Sequence, residues 1–273
     1  MNRILATALA EFRIALRNRW VTISVVMMVL FSMVLSAAGS APSGALGADR
    51  LSVTVASLTS LAVYLVPLMA LLMSFDAVAG EVERGTLPLL LTYPVSRAEV
   101  LVGKLIAHLT ILALAVGVGY GVAAGAALAT DPNAADGFPA LWRLMWSSVL
   151  LGATFLGAGY AISALSRRPS GAAGLAIGLW LVMIVLFDLA LLAAVVADDG
   201  GPFTTRVFPY ALLANPADAF RLFNLAASQA TAAAAGVAGA ASSVPVWQSL
   251  ASILLWPLAA LALAIAAFRK VSP

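Results

Sequence analysis

Six apolar runs of membrane-crossing length occupy most of this sequence: Val21–Ala38, Val53–Val78, Leu101–Ala129, Trp142–Leu165, Ala172–Val196 and Leu250–Phe268. A helix needs about 20 mostly apolar residues to cross a hydrocarbon core of about 30 Å. In lipid, every backbone amide must be paired within its own segment, so runs of this length fold as helices. The chain is 63% hydrophobic and only 10% charged over 273 residues, against about 25% charge in a soluble domain. The expected fold class is an all-α polytopic membrane protein with six transmembrane helices, forming one domain over residues 1–273.

Several chemistries are excluded at once. With no cysteine, disulfides and thiolate metal sites cannot form. The single histidine, His108, lies inside an apolar run and reads as a packed or hydrogen-bonded residue. Met69 and Met73 share a helix face, and Met27, Met28 and Met33 lie on the first span. Thioether sulfur suits Cu(I), but methionine is equally an ordinary gap filler, and no metal site is assigned. No G-x-x-x-x-G-K-[ST] loop occurs, so the chain does not cradle nucleotide phosphates by that route. A net charge of +3 does not point to nucleic acid, because the basic residues sit beside the apolar runs.

That placement gives the orientation. With the N-terminus inside, the inner segments hold Arg3, Arg13, Arg17, Arg19, Arg84, Arg97, Lys104, Arg167, Arg168, Arg269 and Lys270. The outer segments hold only Arg50, Arg143, Arg206 and Arg221. The positive-inside rule therefore places both termini on the cytoplasmic side. The small residues around Ala37–Ala41 leave open a cleaved signal peptide in place of the first span. In the leader, residues 2–19, Leu5, Leu9, Phe12 and Leu16 recur at helical spacing while Arg3, Arg13 and Arg17 lie off that face. This pattern predicts a helix lying on lipid; the alternative is a frayed basic tail.

Between the second and third runs lies Glu81–Lys104, EVERGTLPLLLTYPVSRAEVLVGK, too charged and Pro-rich to cross a bilayer. Glu81, Glu83 and Arg84 mark the exit into water, and Gly85 breaks the helix. Thr86 can cap a short new helix with Pro88 in its first turn. Leu87, Leu90 and Leu91 then share helical spacing. Tyr93-Pro94 ends this helix, and Ser96 with Glu99 forms a capping box that starts the next span. The short helix, within 84–95, is either a capped loop resting on lipid or an anchor that fits a groove in a partner.

The run Glu81-x-Glu83-x-Gly85-Thr86-Leu87, followed by Pro94-x-x-Arg97 and Gly103-Lys104, resembles the signature of ABC-2 type permeases. The likeness extends over the whole chain, from basic leader to last span. Within the family, Leu90–Pro94, Phe187–Leu191 and Asn215–Asn224 are similar to the permeases of the nitrous oxide reductase maturation system, which serves a copper enzyme. The resemblance implies a non-catalytic, homodimeric membrane subunit that binds no cofactor itself. ATP and Mg would be held by a separate cytoplasmic ATPase dimer, and a periplasmic accessory protein would bind outside. It further implies ATPase coupling through Glu81, Glu83, Arg84, Gly85, Thr86, Leu87, Leu90, Leu91, Tyr93, Pro94 and Arg97. The same fold exporting another cargo, such as a drug, lipid-linked or sulfur species, is the alternative. A secondary transporter would place more ionisable groups at midplane.

Three ionisable groups fall within the spans: Asp76, Asp188 and His108. A carboxylate at the centre of a span costs roughly 2.5–3.5 kcal/mol and must face protein or water. Asp188 is expected to line a path or moving interface, or to make a structural bond, with Arg143 as a possible partner. Asp76 is expected to orient the hairpin. Gly117, Gly121 and Gly125 form two G-x-x-x-G steps, the pattern of close helix packing. The outer loop, residues 197–247, is too long for a turn and too apolar for disorder. Asn215-Pro216 reads as an N-cap followed by Pro at the first helical position. Asn215, Asp218, Phe220, Arg221 and Phe223 then form either a platform for the periplasmic partner or a cap packed on the chain itself.

Overall fold

The computed structural model describes residues 3–17, 19–38, 49–92, 94–131, 133–226 and 244–271. Among them the chain is helical and has no strands. Five helical segments are long and apolar enough to cross a membrane: Arg50–Glu83, Arg97–Leu128, Ala134–Leu165, Pro169–Asp198 and Val246–Arg269. The remaining expected crossing corresponds to a helix at Arg19–Ala38, which holds the apolar stretch Val21–Leu35.

In chain order the elements begin with α1 (Arg3–Ala15) and α2 (Arg19–Ala38), followed by α3 (Arg50–Ser74), α4 (Ala79–Glu83) and α5 (Leu87–Thr92). Next come α6 (Arg97–Leu128) and, after a 3-10 turn at Ala134–Gly137, α7 (Phe138–Leu165). The fifth of the expected crossings comprises α8 (Pro169–Trp180), a π-helical stretch Leu181–Leu186, and α9 (Phe187–Asp198). A second wide turn, Phe203–Val207, leads into α10 (Phe208–Leu213), α11 (Pro216–Leu225) and the last crossing, α12 (Val246–Arg269). Helix α6 has 32 residues and so runs about 48 Å, longer than the hydrocarbon core, which leaves turns for the aqueous boundary.

Helix α7 is the hub, packing against α3, α6, α11 and α12. Its glycines make this possible. A Cβ on Gly157 would stand 3.0 Å from the backbone of Ala260 on α12, so the two helices meet main chain to main chain. The glycines expected to do this on α6 do not. Gly121 and Gly125 face open space within the chain, while the close approach is made by Gly119, against Met28 and Ser32 of α2. The core is filled by Leu58, Val66, Leu71, Leu112, Tyr120, Phe155, Tyr160 and Phe268, all buried. Met69 and Met73 belong to it too.

The end of the bundle where α3 begins and α6 ends is pinned by two carboxylates that accept from backbone amides. The Asp49 side chain accepts from the Ser52 amide at 2.9 Å and caps α3. Asp131, in the connection between α6 and α7, accepts from the backbone amides of Arg50 and Asn133, both at 2.9 Å. The Arg50 amide first, then that of Asn133, holds its carboxyl below the ordinary range.

Helix α11 takes the second of its two expected arrangements and packs on the chain itself. Asn215, Asp218, Phe220 and Phe223 are buried within the chain, and α11 packs on α3, α7 and α12. Asn215 caps α11 by accepting from the Ala217 amide at 2.9 Å, and its own amide donates to the Met183 carbonyl. Met183 lies in the π stretch at the middle of the fifth crossing, so the N-terminus of α11 reaches deep into the bundle. Asn224 donates to Ser147 at 2.9 Å, tying the other end to α7. The part of the outer loop at 227–243 lies outside the described residues.

Candidate functional site

The hairpin between α3 and α6 is built from local signals that close in order. Helix α3 ends at Ser74, and the chain turns through Phe75–Val78 before α4. The free amides of Val78 and Ala79 donate to the Ser163 hydroxyl of α7, at 2.9 and 3.0 Å. This satisfies donors that a buried helix start would otherwise orphan. Helix α4 stops at Gly85, which has φ +65. Thr86 N–H donates to the Glu81 carbonyl and Gly85 N–H to the Val82 carbonyl, at 2.9 and 3.1 Å. Those two bonds define a Schellman stop, which favours glycine because a Cβ strains the left-handed backbone. Gly85→Ala is expected to cost about 1 kcal/mol, by the usual penalty for a Cβ at positive φ. Thermal unfolding of the two proteins in the same detergent checks this.

Thr86 occupies the cap position of α5 but works differently from the expectation. Its hydroxyl donates back to the Glu81 carbonyl at 3.3 Å, while its carbonyl accepts from Leu90 N–H. The capping box of α6 forms as read: Ser96 Oγ accepts from the Glu99 amide and Glu99 accepts from the Ser96 amide.

The apolar residues of α5 split differently from the expected stripe. Leu87 is fully buried and packs inward. Leu90 is half-buried against the core. Leu89 is the side chain that projects, 65% exposed. Glu83 and Arg84, the rim of this projection, are exposed. Tyr93 and the side chain of Leu91 lie outside the described residues.

Other expected coupling residues turn inward and bind the hairpin to the chain. Arg97 donates to the carbonyls of Phe268, Arg269 and Val271, at 2.6, 3.1 and 2.6 Å, and its guanidinium lies 5.5 Å over the Phe268 ring. It caps the C-terminus of α12, where a cation is favoured. The Pro94 carbonyl accepts from Arg3 of α1. Glu81 accepts from Lys104, at 2.7 Å, and Lys104 also donates to Glu11 of α1. A cavity of about 960 Å³ opens between α1 and the hairpin, lined by Arg3, Glu11, Asp76, Arg84, Lys104 and His108 among others. Asp76 thus sits at its wall, beside the turn of the hairpin. His108 shares a hydrogen bond of 2.7 Å with the Tyr160 hydroxyl.

Asp188 pairs with Arg221, at 3.2 Å, and not with Arg143. Arg221 also donates to Asp218 at 3.0 Å. Arg143 is turned onto the Phe223 ring, 4.4 Å from its centroid. One wide turn, Leu181–Leu186, precedes Asp188, and a second, Phe203–Val207, lies between Asp188 and Arg221; each adds a residue to the turn and rotates the helix that follows. Counting depth along regular helices therefore chose the wrong arginine.

The arrangement is that of a membrane-spanning protein whose hairpin is fastened to α1, α6, α7 and α12. A family model described as ABC-2 family transporter protein matches residues 5–272, and the chain belongs to that family. It is 47% identical over 267 residues to a probable ABC transporter permease protein NosY of Pseudomonas aeruginosa, covering 95% of each chain. It is 41% identical over 274 residues to a probable ABC transporter permease protein NosY of Stutzerimonas stutzeri, covering 99% of each.

Proposed function

We propose that this chain is the membrane subunit of an ABC transporter in which a separate cytoplasmic ATPase dimer drives the periplasmic maturation of nitrous oxide reductase copper sites. The observation that carries the coupling half of this reading is the projection of Leu89 from a hairpin fastened behind it. An exposed apolar anchor with the charged rim of Glu83 and Arg84 is suited to a groove in a partner. The names of the relatives support the second half. The sequence places no nucleotide loop in this chain, so ATP and Mg belong to the partner.

The six-span arrangement with both termini in the cytoplasm follows from the arginine and lysine count, with α2 as the first span in the bacterial inner membrane. The protein works as a homodimer. Asp188 of the fifth crossing and Arg221 of α11 keep 29% and 26% of their side chains exposed, and an ion pair does not face hydrocarbon. A second copy of the chain covers that face. The periplasmic accessory protein rests on the exposed side of the outer helices, at residues such as Val207 and Tyr210, since α11 itself is inside. With no cysteine and a single histidine that is held by Tyr160, the chain passes motion outward and does not hand copper from ligand to ligand. Co-purification with candidate ATPases tests this: wild type retains one, and Leu89→Asp releases it. Full retention by Leu89→Asp contradicts the coupling assignment.

A further inference from the structure

The cation behind the hairpin does more than hold it in place. Lys104 is 3% exposed, and its Nζ bridges Glu11 on α1 and Glu81 on α4. One lysine thus faces two carboxylates from two different elements, and moving either element away leaves charge uncompensated where the dielectric is low. Two other contacts run in the same direction. Arg3 at the start of α1 donates to the Pro94 carbonyl at the end of the hairpin. Gly103, next to the lysine, lets α1 settle onto α6: a Cβ there would stand 2.8 Å from the Thr7 side chain. Helix α1 is therefore fastened to both ends of the hairpin and to the helix that leaves it. Its other side carries Leu5 and Leu9, 50% and 46% exposed, and is continued by Leu16, 55% exposed, just past the helix end. That face suits the lipid boundary. The chain passes from α1 into α2 within four residues.

We propose that Lys104 is a positioning residue that makes α1 and the hairpin one moving body. A displacement imposed at Leu89 then reaches the first membrane helix through α1, not only the second and third spans that flank the hairpin. This rests on the coupling reading above. The cavity between α1 and the hairpin is the space across which the two would separate without the lysine.

The absence of native cysteine allows paired cysteine labels without background. Spin labels at Arg13→Cys on α1 and Thr92→Cys on the hairpin, both exposed positions, report their separation in nanodisc-held protein. It is measured without the ATPase, and with it in nucleotide-free and vanadate-trapped states. In the otherwise wild-type protein one narrow distribution is expected in all three. The comparison is the triple substitution Glu11→Gln, Glu81→Gln, Lys104→Met, which removes all three charges together. Removing all three charges together leaves no buried charge unpaired, so its melting temperature is expected to recover most of what Lys104→Met alone loses. Its α1–hairpin distribution is expected to roughly double in width and to shift between the nucleotide states. Glu11→Gln alone, which keeps the Lys104–Glu81 pair, gives a smaller change in the same direction and serves if the triple variant does not fold. A wild-type distribution that shifts between states, or variant distributions identical to wild type, overturns the proposal. If the ATPase does not bind wild type, the coupling reading fails, but the ATPase-free comparison still decides whether the triad fastens α1.

Discussion

Lys104→Met alone is expected to lower the stability of the protein by about 3–5 kcal/mol, the cost of removing one partner from a buried charge cluster. The substitution keeps the length of the side chain and most of its packing. What it removes is the positive charge between Glu11 and Glu81. The two carboxylates, 15% and 13% exposed, then face each other, and one must take up a proton or move. The second oxygen of Glu81 already lacks a partner, so Glu81 cannot turn to an existing donor. Chemical or thermal unfolding in lipid-like detergent gives the difference. The same methionine placed beside Glu11→Gln and Glu81→Gln should recover most of the loss. If Lys104→Met alone unfolds like wild type, the triad is not electrostatically significant.

The second large effect is on association. Leu89→Asp should weaken binding of the ATPase about thirtyfold, which corresponds to a hot-spot loss of about 2 kcal/mol. The stability of the permease itself should change by less than about 0.5 kcal/mol, because the side chain touches water and not the core. Leu87→Asp is the informative contrast. Leu87 is two residues away but fully buried, so a carboxylate there damages folding before it affects docking. An equal binding loss from both, with equal damage to folding, would mean that α5 is only a structural turn.

Much of this architecture is legible in the residues because its signals are local. Gly85 as a stop, Ser96 with Glu99 as a start, and Asn215-Pro216 as a cap each act within four residues, and each forms in the structure. The long apolar runs mark the crossings for the same reason: every turn of them must avoid water. The contacts that fasten the hairpin are not local. Glu11 and Lys104 are 93 residues apart in sequence, and Arg97 meets carbonyls more than 170 residues away. The pair Gly103-Lys104 was visible as a family signature, but its reasons are tertiary: the glycine admits α1, and the lysine binds it.

A six-residue helix such as α5 is too short for its periodicity to say which side is covered, so Leu87 of the expected stripe is buried and Leu89, outside that stripe, projects. For α11 the sequence left open a partner platform and a cap packed on the chain itself. The polar partners that decide between them are distant in sequence: the Met183 carbonyl in a wide turn, and Ser147 on α7. Phe220 and Phe223 on one face of a segment called a loop were the available sign that it packs inward.

The most direct test of the coupling claim uses a single cysteine at Leu89, cross-linked with a short bifunctional reagent in inside-out membrane vesicles that contain the ATPase. The account expects a permease–ATPase adduct from Leu89→Cys and none from Tyr210→Cys on the outer helices. An adduct from Tyr210→Cys, or none from Leu89→Cys while the ATPase remains bound, would contradict it.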